Sequence, residues 1–146
     1  MTSTGIDSKL TQFAPTVLSL FRIVFGFLFT AFGTSKIFGW PIAMEQPLGS
    51  WPVWYAGLIE LVAGLLIMTG LFTRAAAFIA SGSMAVAYFW QHQPMGLWPI
   101  VPQEYGGNGG LDPILFCFAF FLLVFTGGGP IALDNVIGRK QVRPTA

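Results

Sequence analysis

Two charged residues sit where an apolar sequence has least use for them. Arg22 lies within SLFRIVFGF and Glu60 within WYAGLIELVAGLLIMTG. An arginine and a carboxylate in such surroundings can neutralise each other, hold the polar head of an otherwise lipophilic molecule, or pass a proton. Lys36 ends the first apolar run, Tyr88 and the single histidine, His92, end the third, and these add donors. Arg22, Lys36, Glu60, Tyr88 and His92 are therefore the candidate ligand-binding residues, with Arg22 and Glu60 the expected ion pair; no residue is assigned as catalytic.

A helical wheel puts Arg22, Gly26, Phe29, Gly33 and Lys36 on one stripe. The glycines on it let another helix approach closely. Gly57, Glu60 and Gly64 form a similar stripe, and Ser81, Ala85, Tyr88 and His92 a third. Counting about 1.5 Å per residue from the inner helix ends places Glu60 about 7 Å above Arg22, within reach of an extended guanidinium. If the guanidinium instead turns toward the headgroups, Glu60 must be protonated or find another partner. The pair serves either to fix helix register or as the floor of a ligand site, and residue types alone leave both open.

The elements that position these residues are apolar helices. Of 146 residues 54% are hydrophobic and 9% charged, and the mean hydropathy is +0.69, far from the roughly 25% charge of a soluble domain. The chain reads as one domain, residues 1–146, an all-α membrane protein built as a four-transmembrane-helix bundle. The spans are placed at about 15–37, 54–71, 75–90 and 111–125, bounded by Pro- and Gly-rich breaks. The first is read as a retained helix, because no cleavage pattern follows it. Four spans put Lys9, Arg74, Arg139, Lys140 and Arg143 on one side and Lys36 alone among cations on the other. The positive-inside rule then places both termini in the cytoplasm and the protein in the cell membrane.

The five tryptophans all fall in or beside the two outer loops. They form either an interfacial belt or, stiffened by the loop prolines, a lid over a cavity between the helices. The stretch EYGGNGGLDP lacks the lysine and preceding strand of a phosphate loop and reads as a flexible outer turn, with Asp112 the N-cap of the last helix and Pro113 its first residue. One cysteine, Cys117, excludes an internal disulfide, and one histidine excludes bis-histidine haem. The sequence contains no metal ligand set and no basic tract for nucleic acid.

The arrangement resembles the DoxX family of small four-helix membrane proteins. The resemblance rests on R-x-x-x-G-F-x-F-x-x-x-G-x-x-K from Arg22 to Lys36, E-L-x-x-G-L-L-x-x-x-G-L-x-T-R from Glu60 to Arg74, His92, Glu104-Tyr105 and Leu133-Asp134. It implies kinship with subunits of a quinol oxidase and of a thiosulfate:quinone oxidoreductase, and with anchors of redox or oxidative-stress complexes. The first functional reading is thus a redox-linked membrane subunit holding a quinone between helices 1–3. It would be an accessory part of an oxidoreductase, since no side chain here carries electrons. The alternatives are a non-catalytic anchor for a partner protein and a binder or carrier of a small lipophilic molecule. The partners implied are the bilayer and a redox protein or further copies of the chain.

Overall fold

The computed structural model describes residues 5–141, and every regular element among them is helical. They form α1 (Gly5–Phe38), α2 (Val53–Thr69), α3 (Thr73–Ala87), α4 (Leu111–Thr126) and α5 (Leu133–Gln141). Arg143, counted above among the inner cations, lies outside the described residues. Among the described residues, α1 alone is by length and composition long and apolar enough to cross a membrane; α2 and α4 are apolar but shorter.

Helix α1 runs antiparallel to α2, and glycine sets their separation. A Cβ on Gly26 would lie 2.6 Å from the Met68 nitrogen, and one on Gly64 2.6 Å from the Thr30 nitrogen. Gly33 is pressed in the same way against the backbone of Leu61. Backbone therefore meets backbone along the stripe expected from the wheel. Farther along, the Lys36 stem passes over Gly57, where a Cβ would lie 2.8 Å from Lys36 Cβ.

The first helix starts at Gly5, ten residues before the expected start, and carries Pro15 inside it. Pro15 removes one amide donor, yet Ser8 and Thr11 bond back to the carbonyls of Gly5 and Asp7 and the helix continues. Residues 5–17 are exposed throughout, so this N-terminal third projects past the other helices.

The turn from α2 to α3 is tight. Gly70, at φ 75°, takes the left-handed conformation after α2, and its N–H reaches the carbonyls of Leu66 and Ile67. The third helix does not stop at Trp90: α3 passes into a π-helical turn, Tyr88–His92, and a 3-10 turn, Gln93–Met95. Helix α4 begins at Leu111, where its span was placed, but with Gly110 at its N-cap, so Asp112 lies in the first turn and does not cap it.

The core is aromatic between α1 and α4 and small between α3 and its neighbours. Phe29 meets Phe120 at 4.7 Å and Phe116 at 5.4 Å between ring centroids, and Ala76, Ala77 and Ala80 of α3 are buried beside Ile67 and Leu123. Helix α4 divides cleanly: Phe116 and Phe120 are buried, while Phe118, Phe121 and Phe125 face outward.

Candidate functional site

The register of α1 on α2 decides which charges meet. With Gly26 beside Gly64 and Met68, and Gly33 beside Gly57 and Leu61, Glu60 lies level with about Phe32. That is roughly 6 Å along the axis from Lys36 and roughly 15 Å from Arg22. Accordingly Lys36 Nζ donates to Glu60 Oε1 at 2.5 Å. The expected Arg22–Glu60 pair is not formed. The depth estimate set the inner ends of the first two helices level, whereas α1 projects beyond α2.

Arg22 is buried, 1% exposed, and bonds only to carbonyls. Its Nη1 donates to Ile67 and Met68 at the end of α2, at 2.6 and 2.5 Å. Nε donates to Gly128 at 2.8 Å and Nη2 to Ile131 at 3.3 Å. These acceptors are carbonyls in the last turn of α2 and in the turn after α4, and the C-terminal end of a helix is where its dipole favours a cation. Arg22 thus clamps α1 to the C-terminal ends of α2 and α4.

Next to this clamp, Asp134 of α5 accepts from the backbone N–H groups of Phe72 (2.7 Å) and Thr73 (2.9 Å), capping α3 from outside the α2–α3 turn. Phe72 stands in the left-handed region, at φ 49°, where this bond holds it. Partial burial alone would raise the Asp134 pKa. The Thr73 and Phe72 bonds and the nearby Arg22 cation outweigh it and hold the carboxyl below its ordinary value.

A cavity of about 760 Å³ lies at the other end of the helices, within the range of small-molecule sites. All four long helices contribute to it, α4 through Asp112, Pro113 and Phe116. Phe29, Met84 and Phe116 form apolar wall, and Lys36 and Glu60 supply charge. Glu60 is 2% exposed and its Oε2 has no hydrogen-bond partner among the described residues. His92 lines the cavity, as do Trp51 and Trp90, whose rings meet at 5.9 Å. Trp40 and Trp98 are exposed and take no part in its lining.

Tyr88 is absent from the cavity lining and faces Asn108 instead, a residue in no recognised motif. Asn108 is fully buried: its Nδ2 donates to Gly96 O (2.9 Å) and Tyr88 Oη (3.4 Å), and its Oδ1 accepts from Gly110 N–H (2.8 Å). His92 Nδ1 lies 2.9 Å from the Asn108 carbonyl. The GGNGG segment, expected to be a flexible turn, is therefore organised around one satisfied amide. Its one signal in the sequence is an asparagine among glycines, a residue able to knit a loop by both ends of its side chain. Ser81, on the same stripe as Tyr88, donates to the Cys117 carbonyl of α4.

The structure thus joins Lys36, Glu60 and His92 around one cavity, and leaves Arg22 in the clamp at the opposite end and Tyr88 in the loop network. Apolar side chains cover the outside of the helices while charges are paired or bonded inside, the pattern of a helical protein embedded in lipid. The chain belongs to the DoxX family of membrane proteins, whose pattern matches residues 17–93, from α1 through the π-helical turn. A protein of Haemophilus influenzae described as uncharacterized is 37% identical over 139 residues, covering 91% of this chain and 99% of its own. No solved structure matches the chain.

Proposed function

We infer that this DoxX protein is a four-span membrane subunit that holds a small lipophilic molecule with a polar, hydrogen-bonding head, of the quinone class, in the outer cavity. The observation that carries this reading is the free Glu60 Oε2 beside Lys36 in a mostly apolar wall. A buried carboxylate oxygen without a partner costs stability unless something occupies it. Lys36 has donors left after binding Glu60 and can reach a carbonyl oxygen, while Glu60 can take a hydroxyl proton. A fully oxidised head would use Lys36, and a reduced one both residues.

Continuation of α3 through the two turns to Met95 gives that segment the length α3 itself lacks, supporting four crossings. Lys9 and Arg74 fall at the end of the molecule where Arg22 is clamped, which supports the cytoplasmic placement of both termini. Electron transfer would come from a partner protein, the chain having a single thiol and no paired redox side chains.

The test is titration of a short-tailed ubiquinone analogue into the protein in lipid nanodiscs, read by quenching of tryptophan fluorescence, since Trp51 and Trp90 line the cavity. Saturable quenching that Lys36→Met/Glu60→Gln abolishes supports the site. Absence of saturation in the wild type, or equal affinity in the double variant, refutes it.

A further inference from the structure

Helix α1 carries a second stripe, on the face opposite Arg22, Gly26 and Gly33, and it continues beyond the length a bilayer needs. Ile6, Leu10 and Phe13 are followed by Val17, Leu20, Val24 and Phe27, in alternating steps of four and three residues. All seven are 43–71% exposed. A bilayer explains the second half of this stripe but not the first. Measured back from Phe38, about 30 Å of hydrocarbon ends near Leu18, and the headgroups occupy roughly a further 5–7 Å. Phe13 then lies about 7 Å beyond the hydrocarbon and Ile6 about 18 Å. An exposed helical arm of this length is marginal in water by itself.

We propose that this face of α1 pairs with α1 of a second copy of the chain in a parallel two-helix coiled coil running from Ile6 into the membrane. Lipid contact asks only for apolarity, whereas this stripe keeps the 3.5-residue period of a coiled-coil seam for three heptads. Leu10, Val17 and Val24 fall at a positions and Ile6, Phe13, Leu20 and Phe27 at d. β-Branched residues at a with leucine at d favour two strands, and Val17, Val24 and Leu20 follow that pattern. Copies inserted in one membrane share an orientation, so their α1 helices are parallel and each seam residue meets its own counterpart. Ser8, Thr11 and Gln12 lie off the seam on the arm. The pairing leaves the α1–α2 contact through Gly26 and Gly33 untouched.

Single cysteines placed in full-length Cys117→Ser protein in native membranes test this pairing. Leu10→Cys, Phe13→Cys and Val17→Cys should form disulfide-linked dimers under mild oxidation, with Ser8→Cys and Thr11→Cys remaining at background. Equal crosslinking on and off the seam, or none anywhere, overturns the proposal, including the case where lipid alone shields position 10 from a water-soluble maleimide. Native mass measurement in nanodiscs supplies the second readout. The wild type should be dimeric, and Leu10→Asp/Phe13→Asp, altered only beyond the packed helices, should be monomeric with unchanged helix content; a monomeric wild type contradicts the pairing.

Discussion

Glu60 is paired with Lys36, one helix turn away in level, and not with Arg22, although all three lie on the inward faces of α1 and α2. This separates two roles that the sequence left merged. The Lys36–Glu60 pair faces a cavity and retains an unbonded oxygen, and Arg22 closes the opposite end with its donors directed at carbonyls. Removing one partner of a buried pair strands the other. Lys36→Met and Glu60→Leu should each destabilise the protein by about 3–5 kcal/mol, and Lys36→Met/Glu60→Leu should recover much of that loss. Thermal unfolding in one detergent, measured for the three variants, checks the coupling. The double variant should remain unable to bind the quinone analogue even where its stability returns, which separates a register pin from a ligand floor.

Arg22 variants should behave differently. Arg22→Met leaves the carbonyls of Ile67, Met68, Gly128 and Ile131 without their shared donor. Charged hydrogen bonds are worth roughly 1.5–3 kcal/mol each and share one residue here, so a loss of at least about 3 kcal/mol is expected. Arg22→Lys should rescue little, because an ammonium cannot spread its donors across a fork. In molecules that still fold, ligand affinity should match the wild type. A large affinity change at unaltered stability would return Arg22 to the binding site.

The limits of the sequence are visible in these same residues. Helical period alone put Arg22, Gly26, Gly33 and Lys36 on the inward stripe, and that stripe is where α2 packs. The family was legible from the motif this stripe carries, Arg22 to Lys36, and the family match over residues 17–93 includes it. Depth was not legible. It depends on how far α1 slides past α2, which backbone contact at Gly26 and Gly64 fixes and no periodicity records. Asn108 escaped notice because a loop network has no period at all, only local hydrogen bonds that exist once Tyr88, Gly96 and Gly110 are brought together. Asp134 likewise acquires its role through a contact with α3 some sixty residues earlier in the chain.

Glycines that look equivalent in sequence should respond to alanine in opposite ways. Gly64→Ala would press a Cβ against the Thr30 nitrogen and the Gly26 carbonyl, which cannot yield without parting α1 from α2. A loss of about 1–3 kcal/mol is expected. At Gly82 of α3 a Cβ would meet nothing within 4 Å, so Gly82→Ala should be neutral or gain up to about 1 kcal/mol from helix propensity. Paired melting curves of the two variants decide the point.

Asn108→Ala should act on the cavity end of the molecule alone. It leaves the Gly96 carbonyl and the Gly110 N–H without their buried partner, a cost of about 1–3 kcal/mol. Because the Asn108 backbone carbonyl also meets His92, movement of the loop should reach the cavity. Hydrogen exchange should accelerate at residues 96–110 and around His92, with protection near Arg22 unchanged. Uniform acceleration through all helices would contradict a local hub.

Asp134 gives the protein a pH dependence of predictable sign. Its folded carboxyl titrates below its ordinary value, so the folded state binds fewer protons there than the unfolded chain. The stabilisation is therefore complete above the unfolded aspartate pKa of about 3.9 and is lost as pH falls through the depressed folded value. Asp134→Ala removes the cap on Phe72 and Thr73 and should cost about 0.5–2 kcal/mol at neutral pH. That difference between wild type and variant should hold steady from pH 7 to about pH 5, then shrink toward zero in acid as the wild-type carboxyl itself protonates. Melting temperatures of both proteins across this range supply the measurement. A difference that widens on acidification would mean that Asp134 binds its proton more tightly in the folded state, which the two amide donors and the Arg22 cation oppose.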